Sequence, residues 1–148
     1  MQQKVLVLVA DAARARVFLA NGLKREDIEL IQLTSLLCPK SQQKAADLID
    51  DGDTGHVNHA GHAGGMPTRD PKEAYAKAFA KECQKYCHQY LQEHNFSEVC
   101  LIAAPQFLGL LRSEMTYNPE SLYTLDKDYT HCDQAELVTH LVKHFFAV

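Results

Sequence analysis

The apolar positions change rhythm along the chain, and each change marks an element. KVLVLVAD, over Lys4 to Asp11, is a near-continuous apolar run and reads as a buried strand. RARVFLA, Arg14 to Ala20, reads as its partner, reached through a tight turn at Ala12 and Ala13. Asn21 and Gly22 supply turn chemistry, and DIELIQLT, Asp27 to Thr34, alternates well enough to form a third strand. From Cys38 to Asp70 the pattern fails, apart from a short helical stretch around Gln42 to Ile49. Regular spacing returns with Ala74, Tyr75, Ala78, Phe79, Cys83, Tyr86, Cys87, Tyr90 and Leu91, the three- and four-residue repeat of a helix. Asp70 is placed to cap that helix, Pro71 to occupy its first position and Glu73 to complete a capping box, while Asn95 is placed to end it.

Val99 to Ala103 is again continuously apolar, as expected of a central parallel strand covered on both faces. Pro105 opens a second helix carrying Phe107, Leu108, Leu110 and Leu111. A third strand over Leu122 to Asp126 leads to a helix with Asp133 and Glu136 as capping box and Leu137, Val138, Leu141, Val142 and Phe145 facing inward. The order βββαβαβα predicts an α/β fold, a three-layer mixed five-stranded sheet, antiparallel at one side and parallel at the other, because right-handed crossovers set later strands beside the first.

At 148 residues and 46% hydrophobic composition the chain is long enough to bury about two thirds of its unfolded surface, so one domain over 1–148 is expected. No stretch of 18 apolar residues occurs and MQQKVLVLVAD reaches a charge too early for a secretory signal, which predicts a cytoplasmic protein without a membrane partner. Five cysteines, Cys38, Cys83, Cys87, Cys100 and Cys132, form no short secreted framework and read as reduced thiols; Cys83 and Cys87 lie one turn apart on the apolar helix face, where packing is expected. A formal charge of -4 excludes strong nonspecific affinity for nucleic acid over the whole surface, leaving a local basic face as the one route to RNA. Lys77, Lys81 and Lys85 line such a face of the long helix.

The patternless segment, about 38–70, carries most of the unassigned polar chemistry, and a loop of this length is expected to be mobile and functional. His56, His59 and His62 recur every third residue, compatible with a zinc or nickel site, although the plainer reading is a polar loop. Asp47, Asp50, Asp51 and Asp53 include a DGDTG fragment like that of calcium loops but lack the closing glutamate. GHAGGM, with Gly64, Gly65 and Met66, leaves backbone open to close approach by a partner. No cofactor is expected. Asp11 at the end of the first strand and Asp126 or Asp128 after the last form an imaginable metal-binding nuclease pair, against the plainer reading of Asp11 as a turn residue.

VLVADAARARVFLA, DLIDDGDTGHVNHAGH, DPKEAYAKAFAKE, LIAAPQFLGLLR and LDKDYT, in this order, resemble the bacterial host attachment family, named for attachment to host cells. That family in turn looks like the middle domain of archaeal and eukaryotic peptide-chain release factors and of Pelota, which implies a ribonuclease-H-like fold. In those factors a loop bearing Gly-Gly-Gln precedes a long basic helix. Here Gly64, Gly65 and Met66 stand at that place and Pro71 to His94 is the helix. Methionine keeps the backbone N–H but has no amide side chain to set a water against a peptidyl ester. The resemblance therefore implies contact with the ribosome or structured RNA through Lys77, Lys81, Lys85 and the loop tip, without catalysis. The alternatives are a metal-dependent nuclease, a hydrolase of esters on transfer RNA, and a factor acting on host attachment indirectly. The oligomeric state is left open.

Overall fold

The computed structural model describes residues 4–39, 71–95 and 97–146. The described elements are β1 (Val5–Ala10), β2 (Arg14–Ala20), β3 (Leu30–Leu37), α1 (Pro71–His94), β4 (Glu98–Ile102), α2 (Pro105–Ser113), β5 (Ser121–Leu125) and α3 (Gln134–Leu141), which runs into a π-helical turn, Val142–Phe146. The strands form one mixed sheet in the order β3-β2-β1-β4-β5, antiparallel where β1 meets β2 and β2 meets β3, parallel where β1 meets β4 and β4 meets β5. β1 sits centrally, and all six of its residues are buried, as a continuous apolar run requires.

Alternation in the strands divides the core in two. Leu6, Leu8, Ala15, Val17, Val99 and Leu101 face α1 and α2, meeting Phe79, Cys83, Cys87, Phe107 and Leu111. Val5, Val7, Val9, Phe18, Cys100 and Ile102 face the other way and meet Leu137 and Leu141 of α3. The result is three layers with helices on both sides of the sheet. The Asp133–Glu136 capping box is present: the Asp133 carboxylate accepts from the Glu136 N–H at 2.8 Å and the Glu136 carboxylate from the Asp133 N–H at 3.1 Å.

Two expectations need correction. The third strand begins at Leu30, not Asp27, because residues 21–29 form a wide loop pinned by Asn21, whose side chain accepts from the Glu29 N–H at 2.8 Å, and by the Arg25–Asp27 ion pair at 2.7 Å. The strand also carries a bulge: Val17 pairs with Thr34 and Phe18 with Gln32, leaving Leu33 as the extra residue. On α1 the apolar face is narrower than expected. Ala74 and Ala78 are exposed, and the buried row is Phe79, Ala80, Cys83, Gln84, Cys87 and Leu91. The helix does end at Asn95, whose φ of 62° turns the chain out of the helix while its N–H still reaches the Leu91 carbonyl at 2.8 Å. The helical stretch expected around 42–49 and the Asp70 cap lie outside the described residues.

Candidate functional site

The parallel strands β1 and β4 end side by side, and the connections leaving them, together with the start of α1, frame a cleft of about 650 Å³. Asp11 comes from the β1–β2 turn, Lys72 and Glu73 from the first turn of α1, and Gln106, Phe107 and Gly109 from α2. Crevices beyond the carboxyl ends of parallel strands are common ligand positions, since the diverging connections leave a gap there. At α2 the gap is bordered by a helix start with no side-chain cap, Ala104 preceding Pro105. Gly109 adds space: a Cβ there would meet nothing within 4 Å among the described residues.

Asp11 is committed to the turn. One carboxylate oxygen accepts from the N–H groups of Ala13 and Arg14 at 2.8 and 2.9 Å, and the other receives the Thr130 hydroxyl at 3.1 Å. That hydroxyl, on a residue only 3% exposed, also lies 2.7 Å from the Asp128 carboxylate. Thr130 thus joins Asp11 to Asp128, while Asp126 stays exposed and apart. A hydroxyl has one proton to give, and the shorter contact is to Asp128. This bond is the main cause that holds the Asp128 carboxyl below its ordinary value, against the opposing effect of partial burial. Thr130 carries no signal in the sequence, because Asp11 lies far from it along the chain and no local pattern announces such a link.

Lys77, Lys81 and Lys85 are all exposed on one flank of α1, at i, i+4 and i+8. Lys77 approaches Glu114 at 4.0 Å with most of its side chain in water; Lys81 and Lys85 have no carboxylate within ion-pairing distance among the described residues. Behind this flank the buried Gln84 donates to the Leu111 carbonyl at 2.8 Å and accepts from the Tyr117 hydroxyl at 2.5 Å, fixing α1 against α2. Cys83, Cys87 and Cys100 are buried thiols; burial pushes Cys87 up to about 12 and Cys83 and Cys100 higher still, so they serve packing. Gly64, Gly65, Met66, His56, His59, His62 and the acidic run Asp47 to Asp53 lie outside the described residues. Among the described residues no three His, Cys, Asp or Glu side chains converge as a metal site would need, and no helix is long and apolar enough to cross a membrane.

A family model described as a protein required for attachment to host cells matches residues 6–141, from β1 to the end of α3. The chain belongs to this host attachment family. Among curated proteins no relative matches it. Among solved structures the family member is similar to a Ppx/GppA protein of Aquifex aeolicus, at 12% identity and a TM-score of 0.40, over 84% of this chain and 35% of that one. It is also similar to the type II variant of the Aquifex aeolicus Ppx/GppA phosphatase, at 12% identity and a TM-score of 0.38, over 82% and 36%. An archaeal protein matches at 11% identity and a TM-score of 0.36, over 96% and 36%. The chain therefore spans about a third of the length of these structures.

Proposed function

We propose that this member of the host attachment family binds the ribosome or structured RNA without catalysis, using the lysine row of α1 as its phosphate contact. The observation that carries the reading is the row itself. Three ammonium groups in line at four-residue spacing repel one another, each like-charged pair costing a helix about 0.2–0.5 kcal/mol. Here they are kept exposed, and among the described residues only Lys77 comes within 4.0 Å of a carboxylate, that of Glu114. An anionic partner turns that local cost into binding energy, because each phosphate neutralised releases condensed counterions. The resemblance to release-factor middle domains supports the same reading, since it sets a diglycine loop, Gly64 and Gly65, directly before this helix. A ribonuclease-H-like scaffold goes with that resemblance and is part of the proposal. Attachment to host cells then follows indirectly, from an effect on gene expression inside the cytoplasm.

Co-sedimentation with ribosomes at low ionic strength tests this. The wild-type chain is expected to pellet with ribosomes, and the triple variant Lys77→Glu, Lys81→Glu, Lys85→Glu to remain in the supernatant. Association that the triple change leaves intact contradicts the lysine contact.

A further inference from the structure

On the other face of the sheet lies a second polar feature that the RNA reading does not use. Alternation along β2 places Arg14 and Arg16 on the same face as Phe18, the face that packs towards α3. Their partners across β3 are Leu37 and Ser35, and Gln32 lies beyond the bulge, opposite Phe18. The turn from Thr130 to Cys132 closes the other side. Together these residues line a groove of about 420 Å³ with two guanidinium groups, an imidazole from His131, a hydroxyl from Ser35 and an amide from Gln32. No carboxylate lines it among the described residues. The neighbouring acidic side chains are engaged elsewhere: Asp11 and Asp128 meet the Thr130 hydroxyl, and Asp133 and Glu136, beside Cys132, accept from each other's backbone N–H in the capping box.

The two arginines have different standing. Arg16 is held in place: it donates to the Cys132 carbonyl at 2.5 Å and its guanidinium sits 5.0 Å from the centre of the Phe18 ring. Arg14 is exposed and ion-pairs with no carboxylate among the described residues. One fork is therefore pre-organised and already anchored to the loop, while the other retains its donors. Guanidinium groups are weakly hydrated planar forks that match oxyanions with paired hydrogen bonds, and hydroxyl and amide donors beside them extend the same recognition.

We infer that this groove is a binding site for a phosphate group, with Arg14 as the principal ligand and Arg16, Ser35 and Gln32 shaping the pocket. The phosphate is that of a free small anion or of a nucleotide chain. The site is independent of the lysine row, because α1 covers the opposite face of the sheet.

Titration of the full chain with inorganic phosphate, and separately with a short single-stranded oligoribonucleotide, tests the inference by following backbone amide resonances at constant ionic strength. Saturable shifts at Arg14, Ser35 and residues 130–132, whatever else moves on α1, are expected with at least one probe. Arg14→Ala should weaken that binding at least about tenfold, as removal of a charge-assisted contact does, with an unchanged melting temperature since Arg14 is exposed. Arg16→Lys, which keeps the charge but loses the fork, should also weaken it. Saturation of the groove resonances by inorganic phosphate identifies a free anion as the source; their saturation by the oligonucleotide alone identifies a chain. The Lys77, Lys81 and Lys85 triple change should leave the groove's response intact, which separates this site from the RNA contact on α1. Absence of saturable shifts at the groove residues with both probes, or groove binding that Arg14→Ala leaves unaltered, overturns the inference.

Discussion

Gln84 shows how a single polar side chain holds two helices in register. It is 1% exposed, and both ends of its amide are satisfied, one by the Leu111 carbonyl and the other by the Tyr117 hydroxyl. Tyr117→Phe removes only an oxygen, yet it strands the Gln84 carbonyl in a buried position, so a loss of about 1–3 kcal/mol is expected in urea unfolding. Gly109 should behave in the opposite sense. It lies inside α2, where glycine costs about 1 kcal/mol relative to alanine, and a methyl group has open space around it. Gly109→Ala is expected to stabilise the chain by roughly that amount, measured the same way. The Asp128 carboxyl is held below its ordinary value by Thr130, so its contribution to stability is present above the unfolded carboxyl's pKa and is lost as pH falls through the lower folded one. Asp128→Asn should accordingly flatten the rise of stability with pH on the acid side, below about pH 4, in unfolding curves collected across that range.

At the scale of elements, α1 combines two demands, a core face and a charged flank. Lys81 sits midway in the lysine row, four residues from Lys77 and from Lys85. Lys81→Glu replaces two repulsions by two attractions, and thermal unfolding should show a gain of up to about 1 kcal/mol, while ribosome co-sedimentation falls. A gain in stability coupled to a loss of binding is the signature expected of a charge kept for a partner. The elements are legible in the sequence in proportion to how local their causes are. β1 and β2 come from apolar runs and a turn, and the Pro71 and Asn95 boundaries of α1 from terminal chemistry. The start of β3 is not legible in this way, because the Asn21 and Arg25 contacts that hold residues 21–29 as a loop are not written in hydrophobic periodicity. The burial of Gln84 is hidden for a related reason, since its partners, Leu111 and Tyr117, belong to other segments. In the candidate site the lysine row is legible from spacing alone. The tie from Thr130 to Asp11 spans 119 positions and needs the fold. The pairing of Arg14 and Arg16 on one face is a case where the i, i+2 spacing does carry the signal, but the loop that closes the groove over them comes from residues 130–132.

For the whole molecule, the sheet separates two chemistries. On one face α1 presents ammonium groups in a row; on the other, β2 and the 130–132 turn present guanidinium groups in a groove. A chain with a formal charge of -4 has no general attraction for polyanions, so binding to RNA has to come from such local faces and must depend steeply on salt. Co-sedimentation with ribosomes over a series of salt concentrations tests the lysine contact most directly. Pelleting of the wild-type chain is expected to weaken as salt rises, and a triple Lys77, Lys81 and Lys85 to Glu variant is expected to fail to pellet even at low salt. A wild-type chain that never pellets, or a triple variant that pellets as the wild type does at every salt concentration, would contradict it.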